Sequence, residues 1–368
     1  MLSPQKGVIM EMLMKKLSFV FAALAVMVSF DLRAVAPTDF RMKVPITVNA
    51  EAVGDKTATD LPVLVRLSES IDGFKYSDLA SDGSDLAFGV DDGGVITVYP
   101  HEIDTWDPEG ESLVWVKVPT VAAGTAFNAY YGNGRSGGAA ASATWSNYTG
   151  VWHFGEAKTL TTEQTAVWPT AQAAYANSTA AEGLDGYLSK DSSSGEEGRF
   201  GKCFRTNNAG CKTGSFNNGG VWVNDAGTDS PLDRGDTFTI SGWFKHPEAK
   251  YYYDHIFYKR SQGDNKTDKA NTMKFTGGFA IELSANSQAT PKFDPRGGTG
   301  TTKAGGAINA YDAWSYLTFV YEGTKCTVYE NGAPECTANG IGVVTNNDAP
   351  LGIGTRPDIA YSGCTGDA

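Results

Sequence analysis

The feature that most constrains this chain is an alternation with a period of two that returns in one short segment after another. In residues 113–118 (LVWVKV), Val114, Val116 and Val118 fall on one face and Leu113, Trp115 and Lys117 on the other. That is the pattern of a pleated strand buried on at least one side. Just before it, Asp107, Pro108, Glu109 and Gly110 combine the fixed φ of proline with the permissive φ of glycine, which suits a turn. Residues 95–106 and 113–118 are therefore expected to lie side by side. Met42, Val44, Ile46 and Val48 alternate in the same way, as do Leu61, Val63, Val65 and Leu67. Pro45 and Pro62 within these runs favour sheet edges, where a missing N–H costs no ladder bond. Further strands are expected near residues 85–90, 95–103 and 126–131. Short strands at close spacing with no helix of any length mean a sandwich or barrel.

The chain starts differently. Met14, Lys15 and Lys16 precede an apolar run over residues 17–30, the charged-then-apolar order of a secretory leader. The run is shorter than the ~20 residues that cross a bilayer. Ala34, Val35 and Ala36 supply a small-x-small cleavage site, so residues 1–36 are read as a signal peptide. No membrane span is expected after its removal. What remains is long for one sandwich core and suits two domains. Its 43 Gly and 15 Pro, with 18 Phe, 16 Tyr and 8 Trp, form a turn-rich and aromatic-rich mix that agrees with all-β. A net charge of −12 argues against a nucleic-acid or anionic-membrane partner, which requires basic patches.

The first domain is placed at residues 37–134 and a linker at 135–149. Around it, GNGRSGGAAASAT lacks any large apolar residue and is expected to be flexible. It holds a literal G-x-S-x-G over residues 134–138, but a nucleophile elbow needs a strand before it and a packed helix after it. A second domain over residues 150–368 contains GVWHF, GRFGKCF, DTFTISGWFK, HIFYKR, GFAIEL, AWSYLTFVYEGTKCTVYENG and APLGIG. Phe238, Ile240, Gly242 and Phe244 share one strand face, and Thr239, Ser241 and Trp243 the other. Asn331-Gly332 is a strong hairpin signal. The expected architecture is all-β, two jelly-roll-like β-sandwich domains.

Two resemblances follow from these segments. GFKYSDL (73–79), SDLAF (84–88), YPHEIDTW (99–106), SLVWVKVP (112–119) and AYYGN (129–133), in that order, resemble a bacterial domain family of unknown function. That likeness implies a β-sandwich beside lectin-like modules in exported surface proteins and no known chemistry. FTISGWF, the W-x-x-L-T-F-V-Y strand running into TVYENG, and PLGIG resemble the laminin G-like group of the concanavalin A-like lectin/glucanase fold. This implies two antiparallel sheets with a concave face for glycans or proteins, often with calcium. Members close with a strand of the G-x-I-D-E-V-R-I type, so the natural protein is expected to continue past Ala368.

Five cysteines, all after residue 200, suit an oxidising compartment. Cys326 and Cys336 lie five residues either side of Asn331 and are expected to pair across a hairpin. Cys203 and Cys211 would form a second bridge, leaving Cys364 odd, with free buried thiols as the alternative. Glu102, Asp104 and Asp107 approximate the E-x-D-x-x-E pattern of retaining glucanases, and strand alternation puts Glu102 and Asp104 on one face. The third acid is one methylene short and the motif lies outside the lectin-like domain, so turn caps, a cation or cross-strand bonds are the expected roles. His101, His153, His246 and His255 lack zinc-ligand spacing. The acidic loops at 225–236 and 91–94 could hold calcium but lack the spacing of a helical calcium loop. For the ligand, Tyr251, Tyr252 and Tyr253 on a loop, with Trp222 and Asp254, would present flat rings and an acceptor to sugars; the alternative is that the rings cover the core beneath a long loop. The reading is an exported glycan-binding or surface-adhesion protein without catalysis. Its partner is a polysaccharide, a cell-surface glycan or a surface protein. A glycoside hydrolase or a structural scaffold is the alternative.

Overall fold

The computed structural model describes residues 35–134, 137–138, 140–155, 174–176, 184–188, 192–206, 220–225, 227, 230–245, 254–262, 275–285, 289–295, 304–305 and 313–354. Most of the expected leader, together with Cys211, Tyr251, Tyr252, Tyr253 and Cys364, lies outside them.

The chain is all-β, as its alternation requires. In the first sandwich, β1 (Met42–Thr47), β3 (Ala87–Asp92), β4 (Val95–Tyr99) and β7 (Ala126–Tyr131) form one sheet in the order β1-β7-β3-β4. A second sheet holds β2 (Ala58–Leu67), β6 (Ser112–Val121) and β5 (His101–Thr105), in the order β2-β6-β5. Pro45 sits on edge strand β1 and Pro62 on edge strand β2, as their missing donors demand. Val114, Val116 and Val118 are fully buried and meet Val44, Leu67, Phe74, Phe88 and Phe127 in one core. The expected strand over residues 95–103 is broken at Pro100: β4 belongs to one sheet and β5 to the other. Proline cannot donate to a ladder, and its carbonyl instead accepts from Lys117 N at 2.8 Å. β5 then pairs with β6 as expected, and Gly110 N donates to Asp107 O at 3.2 Å in the intervening turn.

The second sandwich stacks an eight-stranded sheet on a four-stranded one. The larger comprises β8 (Ala174–Ala176), β9 (Gly186–Leu188), β12 (Val221–Val223), β14 (Asp254–Gln262), β15 (Phe275–Ala285), β16 (Ala289–Pro295), β17 (Ala304–Gly305) and β21 (Leu351–Ile353), ordered β17-β16-β15-β14-β21-β12-β9-β8. The smaller is β13 (Thr237–Lys245), β18 (Trp314–Glu322), β19 (Lys325–Glu330) and β20 (Ala333–Asn339), in that order. A hairpin of β10 (Ser192–Glu197) and β11 (Lys202–Thr206) stands apart from both sheets. Val221, Val223, Phe279 and Ile281 from one sheet and Phe238, Leu317, Phe319 and Val328 from the other fill the core.

Two expectations are corrected here. Asn331 and Gly332 have φ of 50° and 83°, the two positive values of a type I′ turn, so the hairpin turns between them and not on Asn331. A bulge between Val328 and Tyr329 shifts the ladder by one more residue. Cys336 therefore faces Val328, and Cys326 faces Ala338. A diagonal pair of this kind sits about 7–8 Å apart, beyond the usual disulfide range. Cys203, Cys326 and Cys336 are not bridged to one another. Nor does the stretch around residues 137–149 hang free: Gly137 N donates to Ser84 O at 2.7 Å and Ala140 N to His101 O at 2.9 Å. It enters the short helix α1 (Ala141–Thr144) with Thr144 fully buried and Trp145 only 6% exposed against the first sandwich.

Candidate functional site

The two sandwiches are joined by residues 150–155, and the side chains there alternate between them. Trp152 and Phe154 pack on the second core, with Trp152 Nε1 donating to Leu184 O at 2.8 Å and Phe154 edge-on to Phe204 at 4.8 Å. His153, between them, points back to the first sandwich. Its Nε2 is 3.1 Å from Glu102 Oε2 and its Nδ1 is 3.4 Å from Asp104 Oδ2. Asp104 is the residue added at the β5 bulge between Ile103 and Thr105. Glu102 and Asp104, two residues apart on the strand, project to the same side, and both reach one imidazole. Each acid also takes an indole N–H: Trp145 Nε1 donates to Glu102 Oε2, and Trp115 Nε1 to Asp104 Oδ2 at 3.0 Å. The Trp115 ring stacks on His153 at 5.9 Å and meets Trp145 at 5.3 Å. The expectation that Glu102 and Asp104 share a face is met, and so is that of cross-strand bonding.

A retaining glycosidase needs its two carboxyls about 5–5.5 Å apart across the scissile bond. Between Glu102 and Asp104 the gap is filled by the His153 ring, under two indoles. Asp107 is engaged in a turn: its Oδ1 accepts from Glu109 N at 3.1 Å, so it caps the turn before β6. His101, next to Glu102, is fully buried, with neither ring nitrogen hydrogen-bonded among the described residues. Desolvation lowers its pKa to about 4, against the opposing pull of the Tyr99 and Leu86 backbone.

The acidic loops are engaged in other ways. Asp225 and Asp233 converge on Lys259, whose Nζ lies 2.6 Å and 3.3 Å from them and donates to Asn347 O at 2.5 Å. All three side chains are at least nine-tenths buried, so a tethered ammonium sits between the carboxylates. Asp91 Oδ1 accepts from Gly94 N at 2.9 Å in the tight turn of β3 and β4. Among the described residues no group of three or more His, Cys, Asp or Glu converges to hold a metal ion.

Of the expected ligand rings, Tyr251, Tyr252 and Tyr253 lie outside the described residues, and Trp222 is not on a loop. Trp222 is the middle residue of β12, 1% exposed, with its ring 5.8 Å from Tyr187. The Gly-Gly pair before it precedes a strand and not a loop. Asp254 opens β14.

Open rings lie instead on the outer face of the four-stranded sheet. The alternation of β13 sends Phe238 and Phe244 into the core and leaves Trp243 half-buried outside, opposite Tyr316 of β18. The two rings are 5.3 Å apart, and Tyr316 OH pairs with Ser241 Oγ at 2.8 Å. Phe200, in the β10–β11 turn, meets Trp243 edge-on at 5.6 Å. The Arg199 guanidinium lies 4.9 Å from the Phe200 centroid and 5.1 Å from that of Trp243. The first sandwich reaches the same place through Tyr148, 41% exposed and 5.1 Å from Trp145. Burial and, secondarily, nearby Tyr316 raise its phenol pKa. In the sequence Trp243 shared one strand face with Thr239 and Ser241, opposite Phe238, Ile240, Gly242 and Phe244. The signal was there, but it could not be told from a ring covered by another segment.

Residues 217–367 match a laminin G family model described as the concanavalin A-like lectin/glucanases superfamily. The match supports a laminin G-like domain over these residues, as their strand motifs implied. No curated protein matches the chain. Among solved structures it is similar to the alginate lyase AlgAT5 from Polysaccharide Lyase family 7, at 13% identity and a TM-score of 0.21, over 47% of this chain. The match covers 65% of the lyase, less than two thirds of its length. So distant a likeness says nothing of activity or substrate.

Proposed function

We propose that this is an exported, non-catalytic carbohydrate-binding protein, with its ligand on the outer face of β13 and β18 where the two sandwiches meet. The observation that carries this is the Trp243–Tyr316 pair: two half-buried rings side by side on an open sheet, with the Ser241 hydroxyl bonded to one of them. Flat rings take the apolar faces of sugars and hydroxyls order the rest. Export rests on the leader-like residues 1–36. The first sandwich, read as a member of the family of unknown function, holds Tyr148 at the rim through the Trp145–Glu102–His153 cluster. Catalysis by Glu102 and Asp104 is disfavoured because His153 fills the space that a sugar would need.

A glycan array followed by affinity electrophoresis tests this. Shallow contacts on an open face should give a Kd of about micromolar to millimolar. Trp243→Ala should weaken retention at least about tenfold, the loss of ~1.4 kcal/mol of binding free energy. Undiminished binding by that variant would move the site elsewhere. A reducing-sugar assay on the retained glycan should show no turnover.

A further inference from the structure

We propose that the glycan is acidic, a polyuronate whose carboxylate is taken by Arg199. The inference deepens the binding function above and rests on it. Arg199 is exposed in the turn of the β10–β11 hairpin, which is closed by Gly198 N donating to Gly201 O at 2.9 Å. Its guanidinium lies over two rings, 4.9 Å and 5.1 Å from their centroids, and no acid pairs with it among the described residues. On a chain of net charge −12, a cation without an acid beside the aromatic pair calls for a reason.

The acids of the same hairpin are engaged elsewhere. Glu197 pairs with Lys202, and Glu196 Oε1 accepts from Ser193 Oγ at 3.1 Å. A guanidinium held over rings keeps a rigid fork of donors that matches a carboxylate through two parallel bonds. The contacts with the rings restrict the side chain before any ligand arrives, so less entropy is lost on binding. Lys245 adds a second exposed cation on the Trp243 side of β13, opposite Trp314. A polyuronate offers the apolar ring faces that Trp243 and Tyr316 would stack on, and one carboxylate per residue for Arg199. A neutral glycan satisfies only the rings.

The experiment compares retention of full-length protein on polygalacturonate and on its fully methyl-esterified form, which keeps the sugar ring and removes the charge. Wild type should bind the acid at least about tenfold tighter, the gain of one charge-assisted bidentate pair. Arg199→Gln should abolish that preference, bringing retention on the acid down to that on the ester, and Arg199→Lys should fall between. Trp243→Ala should weaken both. An acid preference that survives Arg199→Gln, or a wild type that retains a neutral glycan through Trp243 but not the polyuronate, overturns the inference and leaves the binding function standing. Undiminished binding by Trp243→Ala takes the binding surface down as well. Circular dichroism of each variant separates these outcomes from misfolding.

Discussion

The two sheets of the second sandwich each carry a tryptophan beside a tyrosine on the face turned away from the core, and the pairs meet opposite fates. Trp222 and Tyr187 sit 5.8 Å apart near one end of the eight-stranded sheet, and Trp222 is sealed at 1% exposure. Trp243 and Tyr316 sit 5.3 Å apart on the four-stranded sheet and stay half open. Tyr258 and Ala280, on the same outward face as Trp222, are also fully buried. Residue type and strand position are nearly the same in the two pairs. What differs is whether something lies over the sheet, and that decides whether a ring supports the fold or is free for a ligand.

The largest effect expected from this contrast is on the sealed side. Trp222→Ala removes a fully buried indole and should cost roughly 3–5 kcal/mol. Chemical denaturation would report it as a fall in midpoint at unchanged slope. A loss under about 1 kcal/mol, the level of a surface change, would mean that Trp222 is accessible in solution and would make it a candidate ligand ring again.

This contrast also marks how far the sequence could be read. Period-two alternation states which residues share a face, so the all-β class, the edge positions of Pro45 and Pro62 and the turn at Asn331-Gly332 were all legible. It does not state what covers a face, and Trp222 was misplaced for that reason. Register was equally out of reach: the turn falling between Asn331 and Gly332 and the bulge at Val328 together moved Cys336 away from Cys326. The Glu102–His153 contact joins residues 51 apart in sequence, and no local pattern announces it. The linker looked flexible because it lacks large apolar groups of its own, whereas its backbone bonds to Ser84 and His101 and the Trp145 that follows hold it down.

Sealed ground should also refuse charge. The His101 pKa is lowered from 6.5 to about 4 by burial, so the unfolded chain takes up the proton first. The stability at stake is intact above pH 6.5 and is lost as pH falls from there towards 4, by roughly 3 kcal/mol. Denaturation of wild type and His101→Leu across that window should show the difference between them shrinking or reversing in favour of the variant as the pH drops. A constant difference would show that the imidazole reaches water. Next in size is the junction cluster. Glu102→Ala leaves Trp145 Nε1–H without its acceptor and should cost about 1–3 kcal/mol. The loss should appear in thermal melts, together with quenched or shifted indole fluorescence from Trp115 and Trp145. Unchanged melting would mean that the cluster does not hold the two sandwiches together.

The smallest stability effect is expected on the open side, where the comparison is most exposed to failure. Trp243 lies outside the core and touches Tyr316, Phe200 and Arg199. Its removal opens no closed cavity, because solvent already reaches the ring. Aromatic pairing and the cation–π attraction disappear with the indole, each worth about 0.5–1 kcal/mol at an exposed site. Water regained by the backbone and by Arg199 offsets part of that. Trp243→Ala should therefore shift stability by no more than about 1 kcal/mol, a few degrees at most in the melt. If the cost instead approached that of Trp222→Ala, Trp243 would be a structural ring like its counterpart. The difference between the two sheet faces, on which the binding surface rests, would then be gone.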